Sequence, residues 1–175
     1  MTIHSEHPFR PPEDERNPLR RFRGRMPLPV SVWAAARGSR RAGWTVSSLV
    51  VADGEPAVAL GLVDEDSDLA DLLADSGPVA VSLLGWNHRG LADAFAGVGP
   101  APGGPFRLAS WVETEWGPVV ADAPGWLGGR LLDVTTTAGW SLLLRAEIQQ
   151  VAIGPDPGAG MLGYLRGRYR ALPLD

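Results

Sequence analysis

The sequence contains no cysteine, and this absence removes several classes of chemistry at once. Without thiols the chain has no disulfide, no Cys-ligated zinc or iron–sulfur cluster and no thiol nucleophile. Lysine is absent as well, because all 16 basic residues are arginines. A P-loop lysine and a lysine Schiff base are therefore excluded, whereas arginine remains available for planar contacts with phosphate or carboxylate groups.

Neither the charge nor the hydropathy of the chain indicates a nucleic acid or a membrane as a partner. The formal net charge of -4 provides no global basic field for nucleic acid. No apolar run approaches the roughly 20 residues that are needed to span a bilayer. Residues 1–12 carry His, Glu and Pro where a secretory signal requires an apolar stretch. We therefore expect a cytoplasmic protein that binds neither nucleic acid nor membrane.

Metal binding and the common nucleophilic motifs find no support in the sequence. His4 and His7 lie near the start of the chain, and His88 stands alone at the start of a predicted helix. No G-x-S-x-G elbow for acyl transfer is present. Gly158-Ala-Gly160-Met-Leu-Gly163 matches G-x-G-x-x-G, but only twelve residues follow it, too few for the rest of a dinucleotide fold. We therefore expect no metal site, name no catalytic residue and interpret these glycines as a loop.

The length of the chain and the distribution of its charges indicate one domain preceded by a charged arm. A chain of 175 residues is about one domain long, and its 22 glycines and 16 prolines indicate many turns. Residues 1–25 combine prolines with four acidic residues and six arginines, as a solvated tail does. We expect residues 1–25 to form a mobile arm, whose arginines alternatively fold onto a partner subunit, and residues 26–175 to form the domain.

Strand patterns dominate this domain, with two short helices in its first half. Runs rich in β-branched and aromatic residues predict strands at 30–36, 56–63, 79–84, 108–116, 119–121, 131–137 and 141–153. Ser67 and Asn87 are predicted to cap the two helices. The apolar phase of the last strand shifts near Gln149-Gln150, which predicts a β-bulge. This pattern favours a mainly β, closed antiparallel barrel with short helices over a doubly wound α/β sheet.

Two features of the first half of the chain can be interpreted either as part of a ligand site or as ordinary packing and turn structure. In the strand at 56–63, one face consists of Ala57, Ala59 and Gly61, so that another strand or a flat ligand can approach the backbone closely. Gly43-Trp-Thr45-Val46-Ser47-Ser48 is an uncharged, hydroxyl-rich stretch between two predicted strands. Its hydroxyl and backbone N–H groups suit a ligand rich in carbonyl and phosphate oxygens, and an ordinary turn that satisfies its own backbone is the alternative.

Four motifs follow one another along the chain in an informative order. The first two are Pro27-Leu-Pro-Val30-Ser-Val32-Trp-Ala and the stretch from Gly43 to Ser48. The third is the succession of Pro56, the Ser67 helix, the strand at 79–84 and Phe95-Ala96. The fourth is Tyr164-Leu-Arg166-Gly167-Arg168-Tyr169. Together they resemble the flavin reductase-like family, which has an FMN-binding split-barrel fold, over about residues 19 to 172.

The resemblance implies a fold, a cofactor and a set of binding residues. The implied fold is a six-stranded antiparallel Greek-key split β-barrel with short flanking helices, in a homodimer that binds FMN or FAD near the subunit interface. By matching position, Thr45, Val46, Ser47 and Ser48 border the isoalloxazine and ribityl parts, and Ser67 lies near the phosphate. The same comparison places Tyr164, Arg166 and Tyr169 where they close this region. Arg89, in the first turn of the second helix, is a candidate for the phosphate on charge alone.

The sequence also departs from the family pattern at three places. Leu69 stands where a Thr commonly follows the helix Ser, and the acidic run Asp64-Glu65-Asp66 precedes Ser67. Ala138-Gly139-Trp140-Ser141 replaces the Gly-Asp-His turn of many reductases, whose His lies near the nicotinamide. Trp140 is a candidate to stack in place of that His.

Three functions remain open on these grounds. The first is an NAD(P)H-dependent flavin reductase, in which NADH or NADPH reduces FMN or FAD for a partner monooxygenase. The second is an FMN-binding protein or electron relay without efficient NAD(P)H oxidation. The third is a subunit or binding module that has lost flavin.

Overall fold

The fold is taken from a computed structural model, which describes residues 17–73, 77–133 and 136–174. The predicted arm at residues 1–16, with His4 and His7, lies outside the described residues. None of the described helices has the length and apolar character needed to cross a membrane. The three described α-helices contain six or seven residues each.

The first half of the chain alternates strands with these short helices. Its helices are α1 (Pro18–Arg23), α2 (Asp68–Leu73) and α3 (Arg89–Phe95). Its strands are β1 (Leu28–Pro29), β2 (Ser31–Arg37), β3 (Arg40–Val46), β4 (Val50–Ala52), β5 (Val58–Asp64) and β6 (Pro78–Leu83). Ser67 caps α2 as predicted, because its Oγ accepts a hydrogen bond from the Ala70 N–H.

The second half consists of strands apart from a 3₁₀ turn at Pro105–Leu108. Its strands are β7 (Trp111–Thr114), β8 (Gly117–Val120), β9 (Gly125–Asp133), β10 (Thr137–Ala138), β11 (Ser141–Ile153), β12 (Met161–Leu165) and β13 (Arg168–Leu172). The register of β9 and β11 skips Gln149, which confirms the predicted bulge. Gly158 and Gly160 lie in a loop before β12, as predicted, but Gly163 belongs to β12 itself, so the loop interpretation was wrong for that residue.

One curled antiparallel sheet contains the long strands and confirms the mainly β prediction. Its strand order is β3-β2-β6-β9-β11-β5-β4, with β10 beside β11. The strands β2, β3, β5, β6, β9 and β11 have 6 to 13 residues and form its main part. Because β3 and β4 end the path, the strands do not close into a hydrogen-bonded ring within the described chain. The sheet is therefore split along one side.

The small face of β5 packs against a tryptophan of the core. Ala59 and Gly61 are buried, and a Cβ at Gly61 would lie 2.7 Å from Cζ2 of Trp33. Trp33 itself is fully buried and belongs to the larger of two core clusters. The packing interpretation of this face is therefore correct, since an indole ring of the same chain occupies the space that a flat ligand would need.

Two local expectations are corrected by the described residues. The end of the expected arm is helical, because the Asn17 side chain accepts from the Leu19 N–H and Pro18 occupies the first helical position. Asn87 does not cap α3, because it lies inside a 3₁₀ turn at Trp86–His88 that leads directly into the helix. The Asn87 amide donates instead to the carboxylate of Asp122.

His88 and Asp122 join the start of α3 to the loop between β8 and β9. The buried His88 ring accepts the Gly85 N–H at Nδ1, at 3.0 Å, so its Nε2 carries the proton that faces Asp122 Oδ1 at 3.1 Å. Partial burial acts to raise the pKa of Asp122, but the hydrogen bonds from the His88 ring and the Asn87 amide hold it below its ordinary value.

This depressed pKa predicts a stability loss in acid. A carboxyl with a lower pKa in the folded chain stabilises the fold above its unfolded pKa, and the contribution disappears as the pH falls through the folded pKa. Because the Asp122 side chain is largely exposed, we expect a contribution of only about 0.5 to 1 kcal/mol. Urea unfolding from about pH 6 to about pH 3 should therefore show a steeper stability loss for wild type than for Asp122→Asn. If the free energy of unfolding fell equally steeply with pH in the two proteins, the lowered pKa of Asp122 would be contradicted.

Candidate functional site

A cavity of about 190 Å³ lies between α1, the end of β3 and the turn that joins β12 to β13. Arg20, Arg23 and Arg166 line it, together with Ser47 and Tyr164. No acidic residue lines it within the described chain. In a protein with a net charge of -4, this basic cavity is a local concentration of positive charge. Three of the predicted site residues, Ser47, Tyr164 and Arg166, meet here.

The turn between β12 and β13 fixes one side of the basic cavity. Arg166 and Gly167 both have positive φ angles, 52° and 75°, as the two central residues of a type I′ hairpin turn do. The Arg166 N–H donates to the carbonyl oxygen of Gly24 at 2.9 Å. Since Gly24 ends α1, this bond ties the hairpin to the helix and places their arginines around one space.

Tyr164 and Tyr169 pair across the same hairpin but face different surroundings. Tyr164 lines the basic cavity, and its ring meets that of Tyr169 edge to face at 5.5 Å. Tyr169 is half-buried, and it packs against the smaller core cluster. Burial and a hydrogen bond to Asp93 raise the pKa of the Tyr169 phenol far above its ordinary value. Tyr169 is therefore a neutral phenol, and its ring packs against the ring of Tyr164.

The predicted hydroxyl-rich stretch is divided between a strand and a bend. Residues up to Val46 belong to β3, so that only Ser47 and Ser48 lie between strands. The Ser48 Oγ accepts the Leu62 N–H at 2.8 Å, which leaves the hydroxyl hydrogen able to donate. The backbone N–H groups of Ser47 and Ser48 donate to no acceptor within the described ranges. This neutral bend therefore presents three donors without a partner in the described chain.

The other two predicted site residues of the stretch, Thr45 and Val46, belong to β3, and their side chains point to opposite faces of this strand. The Val46 side chain is 1% exposed and packs in the larger core cluster. The Thr45 hydroxyl donates to the Ala92 carbonyl oxygen at 2.7 Å and so holds β3 against α3. Neither side chain lines the basic cavity.

The two residues predicted near a phosphate have partners within the chain. Ser67 is 4% exposed, and its hydroxyl donates to the Asp64 carbonyl oxygen at 2.6 Å while it caps α2. The Arg89 guanidinium donates to the Trp86 carbonyl oxygen and lies 3.9 Å from the centre of the Trp86 ring. Neither residue lines the basic cavity, so the structure does not bring them to Ser47.

Comparison with protein families identifies the chain. The flavin reductase like domain matches residues 23–173, which is most of the sequence. The chain belongs to the flavin reductase-like domain family. None of the curated proteins compared with it matches it.

Solved structures of flavin reductases share the fold of this family member. The NADH:FAD oxidoreductase SgcE6 of Streptomyces globisporus C-1027 gives a TM-score of 0.78 at 24% identity, over 93% of this chain and 95% of that chain. BorF, the flavin reductase component of a bacterial two-component tryptophan halogenase, gives 0.77 at 21% identity, over 89% and 96%. The styrene monooxygenase flavin reductase SMOB of Pseudomonas putida S12 gives 0.77 at 18%, over 91% and 99%.

The neutral bend fits the carbonyl edge of a flavin ring. The N–H groups of Ser47 and Ser48 and the Ser48 hydroxyl are donors without a described acceptor, and a ring edge with carbonyl oxygens needs donors of this kind. The surroundings of Ser67 fit a phosphate less well. The exposed acids Asp64, Glu65 and Asp66 precede it, and its hydroxyl is already bonded within the chain.

Sequence reasoning missed Arg20 and Arg23 as residues of a site. Both lie in the segment that was expected to be a mobile arm. The pair Asn17-Pro18 is a helix-start signal that predicts α1 within this charged segment. No local signal predicts the bond from Arg166 to Gly24, because it joins opposite ends of the chain.

Proposed function

We propose that this protein is an NAD(P)H-dependent flavin reductase, which transfers a hydride from a reduced nicotinamide to FMN or FAD for a partner monooxygenase. The observation that carries the proposal is the match of the flavin reductase like domain over residues 23–173. Two structural neighbours support it: SgcE6 was solved in complex with NAD and FAD fragments, and BorF is a component of a two-component halogenase.

The residues of the neutral bend would hold and orient the flavin. When bound, the flavin supplies the ring that accepts the hydride. The N–H groups of Ser47 and Ser48 and the Ser48 hydroxyl would donate to the ring edge, and Tyr164 would bound the same region. No described side chain of the bend carries a charge or titrates near neutral pH. The protein therefore contributes orientation and hydrogen bonds rather than acid–base chemistry.

Absorbance spectroscopy tests this function directly. Purified protein is expected to bind FMN or FAD and, under anaerobic conditions, to bleach the flavin band when NADH or NADPH is added. Protein that binds flavin without bleaching would be an electron relay, and protein that binds no flavin would be a binding module. Either result refutes the reductase proposal.

The double variant Ser47→Ala/Ser48→Ala tests the position of the flavin. Because it removes the Ser48 hydroxyl that is proposed to donate to the ring edge, together with the hydroxyl of the neighbouring Ser47, we expect flavin binding to weaken by about 1 to 3 kcal/mol. Flavin fluorescence titration measures this loss. Ser39→Ala, an exposed serine at the other end of β3, is the matched control and should retain wild-type affinity. Unchanged affinity in the double variant would place the flavin elsewhere.

We also propose that a second copy of the chain covers the outer face of the sheet. β4, β5 and β11 align the apolar residues Val50, Val58, Leu60, Leu62 and Leu143 on this face, with Arg145 and Glu147 of β11 opposite Leu60 and Val58. Val50 is 57% exposed and Leu62 is 36% exposed, although both lie in a paired sheet. Ser48 bonds to the backbone of Leu62, so the neutral bend borders this face. A homodimer would bury the apolar face and place the flavin near the interface.

Light scattering tests the dimer. Val50→Glu/Leu62→Glu places two charges in the proposed interface, and we expect it to convert a wild-type dimer into a folded monomer. Val98→Glu changes a residue that is 77% exposed in the loop after α3, and it should leave the dimer intact. A wild-type protein that is monomeric at micromolar concentration would refute the proposal.

One observation favours the electron relay as the second candidate function. The family's Gly-Asp-His turn is replaced by Ala138-Gly139-Trp140-Ser141, and the Trp140 side chain is 98% exposed. In the single chain, this turn therefore presents an indole to solvent in the place of the histidine that lies near the nicotinamide in many reductases of the family. The anaerobic bleaching experiment above separates the two functions.

A further inference from the structure

The basic cavity contains charge that the proposed flavin-ring contacts do not use. Arg20, Arg23 and Arg166 line it, and none of them forms an ion pair with a residue of the described chain. Other arginines do have acidic partners, as Arg41 does with Glu113 at 2.9 Å. Three cations that share one cavity without a carboxylate repel one another, and an anion would relieve that repulsion.

We propose that the basic cavity binds the diphosphate group of a dinucleotide. This inference rests on the proposed function, since both FAD and the nicotinamide dinucleotides contain this group. A diphosphate diester carries two negative charges, which three guanidinium groups match with planar, paired donors.

The position of the basic cavity suits a dinucleotide. Ser47 belongs both to its wall and to the neutral bend that is proposed to hold the ring edge. A ligand whose ring lies at the bend therefore extends its diphosphate into the basic cavity without leaving the protein surface. The alternative phosphate positions suit the group less well, because the Ser67 hydroxyl is bonded to Asp64 and caps α2, and Arg89 lies against Trp86 outside the basic cavity.

Two structural features preorganise these arginines. The bond from the Arg166 N–H to the Gly24 carbonyl oxygen fixes the hairpin against the end of α1. The Asn17 cap and Pro18 start the same helix, so that Arg20 and Arg23, three residues apart, lie on one side of it. None of the residues of α1 is buried. An anion between α1 and the hairpin would therefore add an attachment that core packing does not provide.

Calorimetric titration with ADP, in the absence of flavin and nicotinamide, tests the proposal. We expect the full chain to bind ADP and inorganic pyrophosphate more tightly than adenosine. Arg20→Gln/Arg23→Gln should weaken ADP binding roughly tenfold, as the loss of two exposed charge pairs does. Arg168→Gln makes the same change in the same hairpin outside the wall of the cavity, and it should bind ADP as wild type does.

A second variant and a second probe keep the test independent of folding and of flavin reduction. Arg166→Gln should also weaken ADP binding, and circular dichroism verifies that each variant is folded. ADP affinity that is equal in wild type and in both variants, or undetectable in wild type, overturns the proposal. Because ADP contains no flavin, its binding is measurable even in a chain that reduces no flavin.

The same variants distinguish the two sources of the diphosphate. If the group belongs to FAD, Arg20→Gln/Arg23→Gln weakens FAD binding and leaves riboflavin binding unchanged. If the group belongs to the nicotinamide donor, the variant raises the KM for NADPH or NADH and leaves FAD affinity unchanged. A variant that changes neither value overturns the proposal.

Discussion

Replacing Trp33 with alanine is expected to lower the free energy of unfolding by about 3 to 5 kcal/mol. The indole is fully buried in the larger core cluster, and it fills the space above Gly61 of β5. Its removal leaves a cavity between β2 and β5 that the two strands, held in one sheet, cannot close. Urea unfolding followed by circular dichroism measures the loss.

Trp33→Phe provides the informative comparison. The Nε1–H of Trp33 is buried and has no hydrogen-bond partner within the described residues. Phenylalanine removes that unsatisfied donor along with part of the ring, so it should cost much less than alanine. Equal losses for the two variants would show that the indole contributes less by packing than its burial indicates.

Replacing Gly129 with alanine is expected to cost about 3 kcal/mol or more. A Cβ at this position would lie 2.3 Å from the backbone carbonyl oxygen of Glu147 on β11, and backbone cannot move away as a flexible side chain can. Gly128 and Gly129 pair with Gln150 and Ile148, opposite the bulge that skips Gln149. The glycines therefore permit the close approach that accompanies the bend of β11.

Gly90→Ala is the matched control for this variant. Gly90 lies in α3, and a Cβ there would meet no atom within 4 Å. Alanine at this helical position should stabilise the protein by about 0.5 to 1 kcal/mol. Chemical unfolding of both variants tests the contrast, and a tolerated Gly129→Ala would mean that β9 and β11 can separate at the bulge.

Features with a local physical cause were predictable from the sequence. The run before Gly38 predicted β2, and Gly38 has the positive φ that ends such a strand in a tight turn. The hydroxyl of Ser67 predicted the start of α2. The change of apolar phase predicted the bulge at Gln149 to within one residue. Each of these signals depends on neighbours within a few positions.

Other elements were missed because their sequence pattern is ambiguous or because the residues that explain it lie far away along the chain. β3 begins with Arg40-Arg41 and contains Gly43, so it was interpreted as part of a bend. A Cβ at Gly43 would lie 2.7 Å from Cε1 of Phe95, and only the packing of α3 explains that glycine. β9 begins at Gly125, whereas a strand was predicted only from residue 131. The glycines of β9 weakened its strand pattern, and the close approach of β11 explains Gly129.

The site shows the same division between local and distant causes. The family resemblance predicted Ser47, Tyr164 and Arg166 as binding residues, and the structure places all three around one cavity. Val46 and Thr45 contact the interior and α3, as the alternation of a strand dictates once β3 is recognised. Arg20 and Arg23 lie at the cavity because backbone bonds join opposite ends of the chain, the pairing of β1 with β12 and the bond from Arg166 to Gly24, and no local sequence pattern predicts such bonds.

The open side of the sheet links occupancy of the bend to the motion of the fold. A single serine oxygen, rather than a ladder of amide bonds, spans from the residues after β3 to the backbone of Leu62 on β5. A molecule that takes the remaining hydrogen of Ser48 polarises that oxygen and strengthens its acceptance of the Leu62 amide. Ligand binding at the bend and opening of the sheet between β3 and β5 are therefore thermodynamically coupled. A bound ligand disfavours opening, and opening weakens ligand binding.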